Sequence, residues 1–294
     1  MRILITGGKG QLGADCASVF AGDELLSVDV EDLDIADMAA VAGTFREFGP
    51  AAVVNCAAYT AVDACETHEN EAFAVNATGP ANLAAACRES GAYLVHVSTD
   101  YVFSGQKPVP EPYIENDPTG PLSAYGRTKL AGERAVAESG CEHAILRTAW
   151  LYGAGGGNFL KTMLRLSVAD PGRRLRVVDD QHGSPTWSAT LAGQIAKVVE
   201  ARPKGVFHAT AHGHTTWYRL ATRFLSLMDA PCNIDPCTTR EYPTPAARPK
   251  NSILANRALD SLGLDSMSHW EDDLARFVDR HKDGLLREAG ASPG

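Results

Sequence analysis

The sequence predicts an α/β fold, a doubly wound parallel sheet with a smaller C-terminal α/β lobe, and three observations carry that prediction. Short apolar runs at 3–6, 25–29, 52–55, 93–98 and 144–148 alternate with helical patterns near 11–20, 37–48, 69–89 and 122–139. That is the rhythm of parallel strands joined by crossover helices. The runs are apolar almost throughout rather than at every second position, as strands buried on both faces must be. The rhythm stops near Trp150, where the run Gly153-Ala154-Gly155-Gly156-Gly157 reads as a mobile loop before a different pattern begins.

The first strand runs directly into Gly7-Gly8-Lys9-Gly10-Gln11-Leu12-Gly13, which opens the first helix. Glycines at 7, 10 and 13 let a pyrophosphate approach the backbone, and the helix beginning at Gln11 and Leu12 points its amide dipoles at that anion. The spacing Gly-x-x-Gly-x-x-Gly differs from the commoner Gly-x-Gly-x-x-Gly. Its place between first strand and first helix is the context that marks a dinucleotide site of the Rossmann type. The second strand ends at Asp29, where a carboxylate binds ribose hydroxyls and repels a 2′-phosphate. This leans toward NADH over NADPH, although Lys9 is available to a 2′-phosphate. Asp34 and Ile35 are placed to border the adenine. The third strand ends in Asn55-Cys56-Ala57-Ala58-Tyr59-Thr60, where the small Ala57 and Ala58, followed by Tyr59, leave room for a cofactor outside the strand's carboxyl end.

The fourth strand ends in Val97-Ser98-Thr99-Asp100-Tyr101, and the helix at 122–139 carries Tyr125 and Lys129. Four residues apart on a helix, a phenol and an ammonium share one face. A nearby cation favours the ionised phenol and lowers its pKa, so the pair can exchange a proton with a carbonyl or alcohol oxygen. Such spacing alone is a weak signal; it gains meaning from the glycine loop upstream. Ser98 and Thr99 face the same crevice, Thr99 can polarise a carbonyl, and Lys129 can also hold nicotinamide ribose hydroxyls. Together they describe hydride transfer from a nicotinamide with Tyr125 as proton donor.

Bulk properties frame this reading. A chain of 294 residues, 45% hydrophobic, has room for two lobes. The net charge of −9 without a basic run argues against nucleic acid as partner. No apolar stretch approaches the roughly 20 residues of a membrane span, and the N-terminal apolar run is too short for a secretory signal. Seven cysteines without a Cys-x-x-Cys pair read as reduced thiols of a cytoplasmic protein, Cys65 among them as a packed side chain. Later helical patterns lie near 158–168, 187–201, 216–228 and 270–283, a proline-rich stretch covers 242–249, and the tail beyond Glu288 is expected to fray.

With these residues in view, the chain resembles the extended short-chain dehydrogenase/reductases. Within them it is similar to the dTDP-4-dehydrorhamnose reductase family, through 55–63, 98–103, 121–126, 147–152, 180–186 and 242–252. The resemblance runs to about Phe277. It implies NAD(P)H-dependent reduction of the 4-keto group of dTDP-4-dehydro-L-rhamnose to dTDP-L-rhamnose, the last step of that sugar nucleotide's synthesis, with Thr99, Tyr125 and Lys129 catalytic. It further implies that Thr60, Val62, Asp100, Tyr101 and Trp150 border the sugar and that Arg248 and Asn251 lie toward its nucleotide end. The expected division is a dinucleotide domain over 1–150 and about 176–204, and a sugar-nucleotide domain over about 151–175 and 205–294. Some family members hold magnesium between glutamates at a dimer interface. The matching positions here are Asp15 and Ala189, so neither the metal nor that dimer is carried over, and a monomer or weak homodimer is expected. Two alternatives stand beside reduction. A sugar-nucleotide dehydratase or epimerase shares the lobe, but related dehydratases keep a glutamate where Tyr101 stands. A non-catalytic regulator, resembling the methionine adenosyltransferase beta subunit, would have no need of the intact Thr99, Tyr125 and Lys129.

Overall fold

A computed structural model describes residues 1–290. The part of the expected frayed tail at 291–294 lies outside the described residues. The main sheet has six parallel strands, β1 (Arg2–Thr6), β2 (Glu24–Val28), β3 (Ala52–Asn55), β4 (Tyr93–Thr99), β5 (His143–Thr148) and β6 (Gly205–His208), in the order β2-β1-β3-β4-β5-β6. Side chains alternate across the pleat, and both sides are covered. Ile3, Ile5, Val54 and Leu146 pack under α1 (Gln11–Val19) and α6 (Ser188–Ala201). Leu4, Val53, Leu94 and Ile145 pack under α2 (Met38–Phe48), α3 (Gly79–Ser90) and α4 (Ala124–Glu138).

Short side chains at the helix starts satisfy the first free amides. Asp37 accepts from Ala39 and Ala40 at α2, and Ser123 accepts from Gly126 at α4. The helix expected over 69–89 is present as a continuous helical run with a fault in it. Glu69–Phe73 is α-helical, Ala74–Thr78 forms a π turn, and α3 completes the run.

The second lobe packs α5 (Phe159–Ala169), α7 (Trp217–Leu227) and α8 (Trp270–Glu288) around Leu160, Leu164, Phe224, Leu225 and Phe277. The domain limits at 176 and 204 do not follow the strand pairing. Leu175–Val178 pairs with Ile234–Cys237, and His182–Gly183 pairs with Thr215–Thr216 and Asn251–Ser252, so these strands join the second lobe. Gly205–His208, next to the limit at about 204, completes the main sheet against β5. The strand order reverses between β1 and β3, and ligands of a doubly wound sheet bind in the crevice at the carboxyl ends there.

Candidate active site

A cleft of about 1220 Å³ opens at that crevice and continues to the second lobe. Its first half is shaped by glycine. Gly7 has φ +70°, and a Cβ there would lie 2.7 Å from the Ala57 nitrogen. A Cβ on Gly13 would lie 2.1 Å from the Gly7 carbonyl oxygen. The two strand ends therefore close on each other with bare backbone, and Gly10 begins α1 without a side-chain cap, leaving the first amides for a ligand. These features suit a dinucleotide's pyrophosphate. Asp29 is fixed at the end of β2, its carboxylate accepting from the backbone of Lys9 at 2.9 Å and of Val30 at 2.8 Å. The Lys9 ammonium is turned to Glu31, 2.9 Å away. Asp34 accepts from Ala36, and Ile35 is buried at the cleft wall. Behind Ala57 and Ala58, Asn55 takes hydrogen bonds from Thr6 and the Ala57 backbone. Tyr59 is gripped at both its backbone N–H and C=O by the buried amide of Asn76, in the π turn.

The middle of the cleft collects Ser98, Thr99, Asp100, Tyr125 and Lys129. Tyr125 is 9% exposed and lies edge-on to Tyr101, with centroids 5.4 Å apart. Lys129 is buried and donates to the Val97 carbonyl at 2.7 Å. Burial lowers its pKa to about 8, against the pull of the Glu133 carboxylate. Glu133 accepts from Ser98 and is forked by Arg147, whose Nη2 lies 2.7 Å from it. Thr99 donates to Asp100 at 2.9 Å, and burial pushes the Asp100 carboxyl up to about 6. The expectation that Lys129 lowers the Tyr125 pKa is not met. Burial raises the phenol above its ordinary value, hydrogen bonding from Thr99 opposes this, and the Lys129 ammonium is directed at Val97 instead. A neutral phenol holds its proton and can donate it.

Toward the second lobe the cleft is lined by Thr60, Val62, Tyr101, Trp150 and Arg248. Arg248 pairs with Asp63 at 3.0 Å. Asn251 is not brought to the cleft. It is buried, its amide donates to the carbonyls of Lys107 and Glu111, and its oxygen accepts from Ile253, so its polar atoms serve the backbone. Cys65 is buried beside Tyr125. The glycine run is tied down: Lys161 donates to the carbonyls of Ala154 and Gly156, and Asn158 bridges Gly153 and Gln11. The sequence reading missed Trp217, Phe159 and Asn158, which also line the cleft. Nothing in their spacing marks them, because tertiary packing carries them there. At the positions matched to the family's metal site, Asp15 accepts a hydrogen bond from Ser188 and residue 189 is alanine.

Comparison with known proteins agrees with this geometry. The profile of the RmlD substrate binding domain matches residues 1–282. A dTDP-4-dehydrorhamnose reductase from Streptomyces griseus is 46% identical over 278 residues, 92% of this chain and 90% of that protein. A dTDP-4-keto-6-deoxy-D-glucose reductase from Streptomyces niveus is 40% identical, covering 94% of this chain and 96% of that protein. A dTDP-4-dehydrorhamnose reductase from Bacillus anthracis, solved in complex with NADP, superposes with a TM-score of 0.91 at 38% identity, covering 95% of this chain and 99% of that one. With a dinucleotide cradle, a buried tyrosine–lysine pair and a second lobe closing one cleft, the chain belongs to the RmlD substrate-binding family, that of the dTDP-4-dehydrorhamnose reductases.

Proposed function

We propose that this chain is an NAD(P)H-dependent reductase that converts the 4-keto group of dTDP-4-dehydro-L-rhamnose to the alcohol, giving dTDP-L-rhamnose, the last step of that sugar nucleotide's synthesis. The observation that carries the reading is the buried, neutral Tyr125 facing Thr99, with Tyr101 where a dehydratase keeps a carboxylate. Burial holds the Tyr101 phenol above its ordinary pKa, so it is no base at neutral pH and elimination has no group to start it.

In this mechanism the Thr99 hydroxyl turns its proton from Asp100 to the keto oxygen, and Tyr125 delivers the proton that converts that oxygen to the hydroxyl. The bound nicotinamide supplies the hydride. Lys129, its ammonium anchored at the Val97 carbonyl, holds the nicotinamide ribose hydroxyls in the cleft. Arg248, poised on Asp63 at the cleft, takes the substrate diphosphate. Trp150, Thr60, Val62, Asp100 and Tyr101 enclose the hexose.

The fixed Asp29 carboxylate and the engagement of Lys9 by Glu31 favour NADH, since a 2′-phosphate would meet one carboxylate and compete with another. An exposed ion pair contributes only about 0–1 kcal/mol, so the preference is modest. The dinucleotide lobe comprises 1–150 with α6 and β6, the remainder holds the sugar nucleotide, and the chain works in the cytoplasm as a monomer or weak homodimer.

The test supplies dTDP-4-dehydrorhamnose, made by the preceding epimerase, with NADH and NADPH separately. One cofactor oxidised per dTDP-rhamnose formed, faster with NADH, is expected. Sugar turnover without net cofactor oxidation would assign the chain to the epimerases or dehydratases, and a faster rate with NADPH would overturn the role given to Asp29.

A further inference from the structure

Trp150 stands at φ +47°, in the left-handed region that a bulky residue enters only when its surroundings hold it there. Its surroundings do. The indole lies flat on Trp217, with ring centroids 3.6 Å apart and planes 8° from parallel. Gly183 presses so close that a Cβ on it would lie 2.3 Å from Trp150 Cε2. Trp217 is itself held. Its Nε1 donates to Gln181 Oε1 at 3.2 Å, Gln181 donates to Thr239 Oγ1 at 3.1 Å, and the Phe159 ring meets it edge-on at 4.7 Å. The pieces come from five separate stretches of the second half of the chain, and both indoles line the cleft.

We infer that Trp217 is a positioning residue for the sugar nucleotide: by stacking, it holds Trp150 in its left-handed conformation as a fixed wall of the hexose site. The inference rests on the reductase reading, because the wall matters only if a hexose binds there. The chain of support runs from Thr239 through Gln181 to Trp217 and so to Trp150. Gly183 is needed in it, since any larger residue would displace the indole. Apolar C–H faces of a hexose pack against a rigid aromatic surface with little entropy lost by the protein. A Trp150 freed from its stack would relax from φ +47° toward ordinary backbone and carry the wall away.

The experiment compares wild type with Trp217→Ala, Trp217→Phe and Gln181→Leu. Stacked indoles couple excitonically, so wild type should show a circular-dichroism couplet near the indole far-ultraviolet band that both Trp217 variants lose. An aromatic pair accounts for a roughly two- to tenfold effect, so Trp217→Ala should raise KM for dTDP-4-dehydrorhamnose by that factor. The dissociation constant of NADH, followed by its fluorescence, should stay unchanged. Trp217→Phe should restore most of the sugar KM, and Gln181→Leu should raise it by less than Trp217→Ala. If Trp217→Ala does not fold, the other two variants decide. An unchanged sugar KM, or an equal loss of cofactor and sugar affinity, overturns the inference while leaving the reductase reading in place. A wild type that binds no dTDP-hexose by calorimetry overturns both.

Discussion

Lys129 carries its charge where burial penalises it, and that sets a pH dependence. Its ammonium is buried, donates to the Val97 carbonyl, and has its pKa drawn down to about 8. Glu133, one turn along α4, opposes the fall but divides its charge with Arg147 and Ser98. Below pH 8 the lysine is cationic, with donors for both the Val97 carbonyl and the ribose hydroxyls; above it the amine is neutral and loses one donor and the charge that strengthens the others. We therefore expect kcat/KM to fall about tenfold per pH unit above a break near 8, measured between pH 6 and 10. Tyr125→Phe should lower turnover by roughly 10²–10⁴-fold, the usual cost of losing a general acid, with NADH affinity kept. A break near the ordinary lysine pKa would show that the buried site does not govern the rate, and retained turnover in Tyr125→Phe would remove the proton donor from the mechanism.

At the scale of elements, the π turn at Ala74–Thr78 places one side chain where a regular helix would not. Asn76 is wholly buried. Its amide accepts from the Tyr59 N–H at 2.9 Å and donates to the Tyr59 carbonyl at 3.1 Å and to Thr128 Oγ1 at 3.1 Å. It thus joins the loop after β3 to α4, between Tyr125 and Lys129. Gly132 permits this closeness, since a Cβ there would lie 2.1 Å from the Asn76 carbonyl oxygen. Asn76→Ala strands polar groups at Tyr59 and should cost about 2 kcal/mol of stability. It should also weaken NADH binding more than sugar binding, because Tyr59 borders the cofactor half. Urea unfolding and NADH titration would check this, and an unchanged NADH affinity would reduce Asn76 to a purely structural role. The same elements show what the sequence made legible. Four of the five strands up to residue 150 were readable because both-face burial demands unbroken apolar runs, while β2, at the sheet edge, is only partly buried and was readable from its place in the alternation of strand and helix. The π turn was not, since apolar periodicity over one turn does not separate a wide turn from a regular one. Strands of two residues such as Thr215–Thr216 leave no pattern at all. At the site, Tyr125, Lys129, Thr99 and the glycine loop were readable from local spacing. Trp217 was not, because it reaches the cleft only through packing, and Asn251 was misassigned because its motif does not say which way the amide points.

Across the whole molecule, β6 joins the sheet to the segment that returns from the second lobe, and His208 is at that junction. Its backbone N–H donates to Glu115, which also accepts from Ala258, its Nδ1 pairs with the Ala255 carbonyl, and its ring lies edge-on to Phe103. Nε2 is buried without a partner. Burial, with the Arg147 charge beside it, lowers the imidazole pKa to about 3. The unfolded chain, with a histidine near its ordinary value, binds a proton between about pH 6.5 and 3 that the folded protein refuses. Stability from this group is therefore intact above pH 6.5 and lost as pH falls, by about 1.4 kcal/mol per unit. Asp100 works in the opposite sense. Its folded pKa of about 6 means that the folded state takes up a proton first below that pH, so the total stability curve blends the two. His208→Gln isolates the histidine term, because a glutamine amide can still donate to Ala255 but does not titrate. The stability difference between wild type and this variant should shift by about 2 kcal/mol against the wild type from pH 7 to pH 5 in urea unfolding. A difference constant across that range would mean that the folded protein admits the proton at His208 as readily as the unfolded chain does, and that burial at this junction does not exclude it.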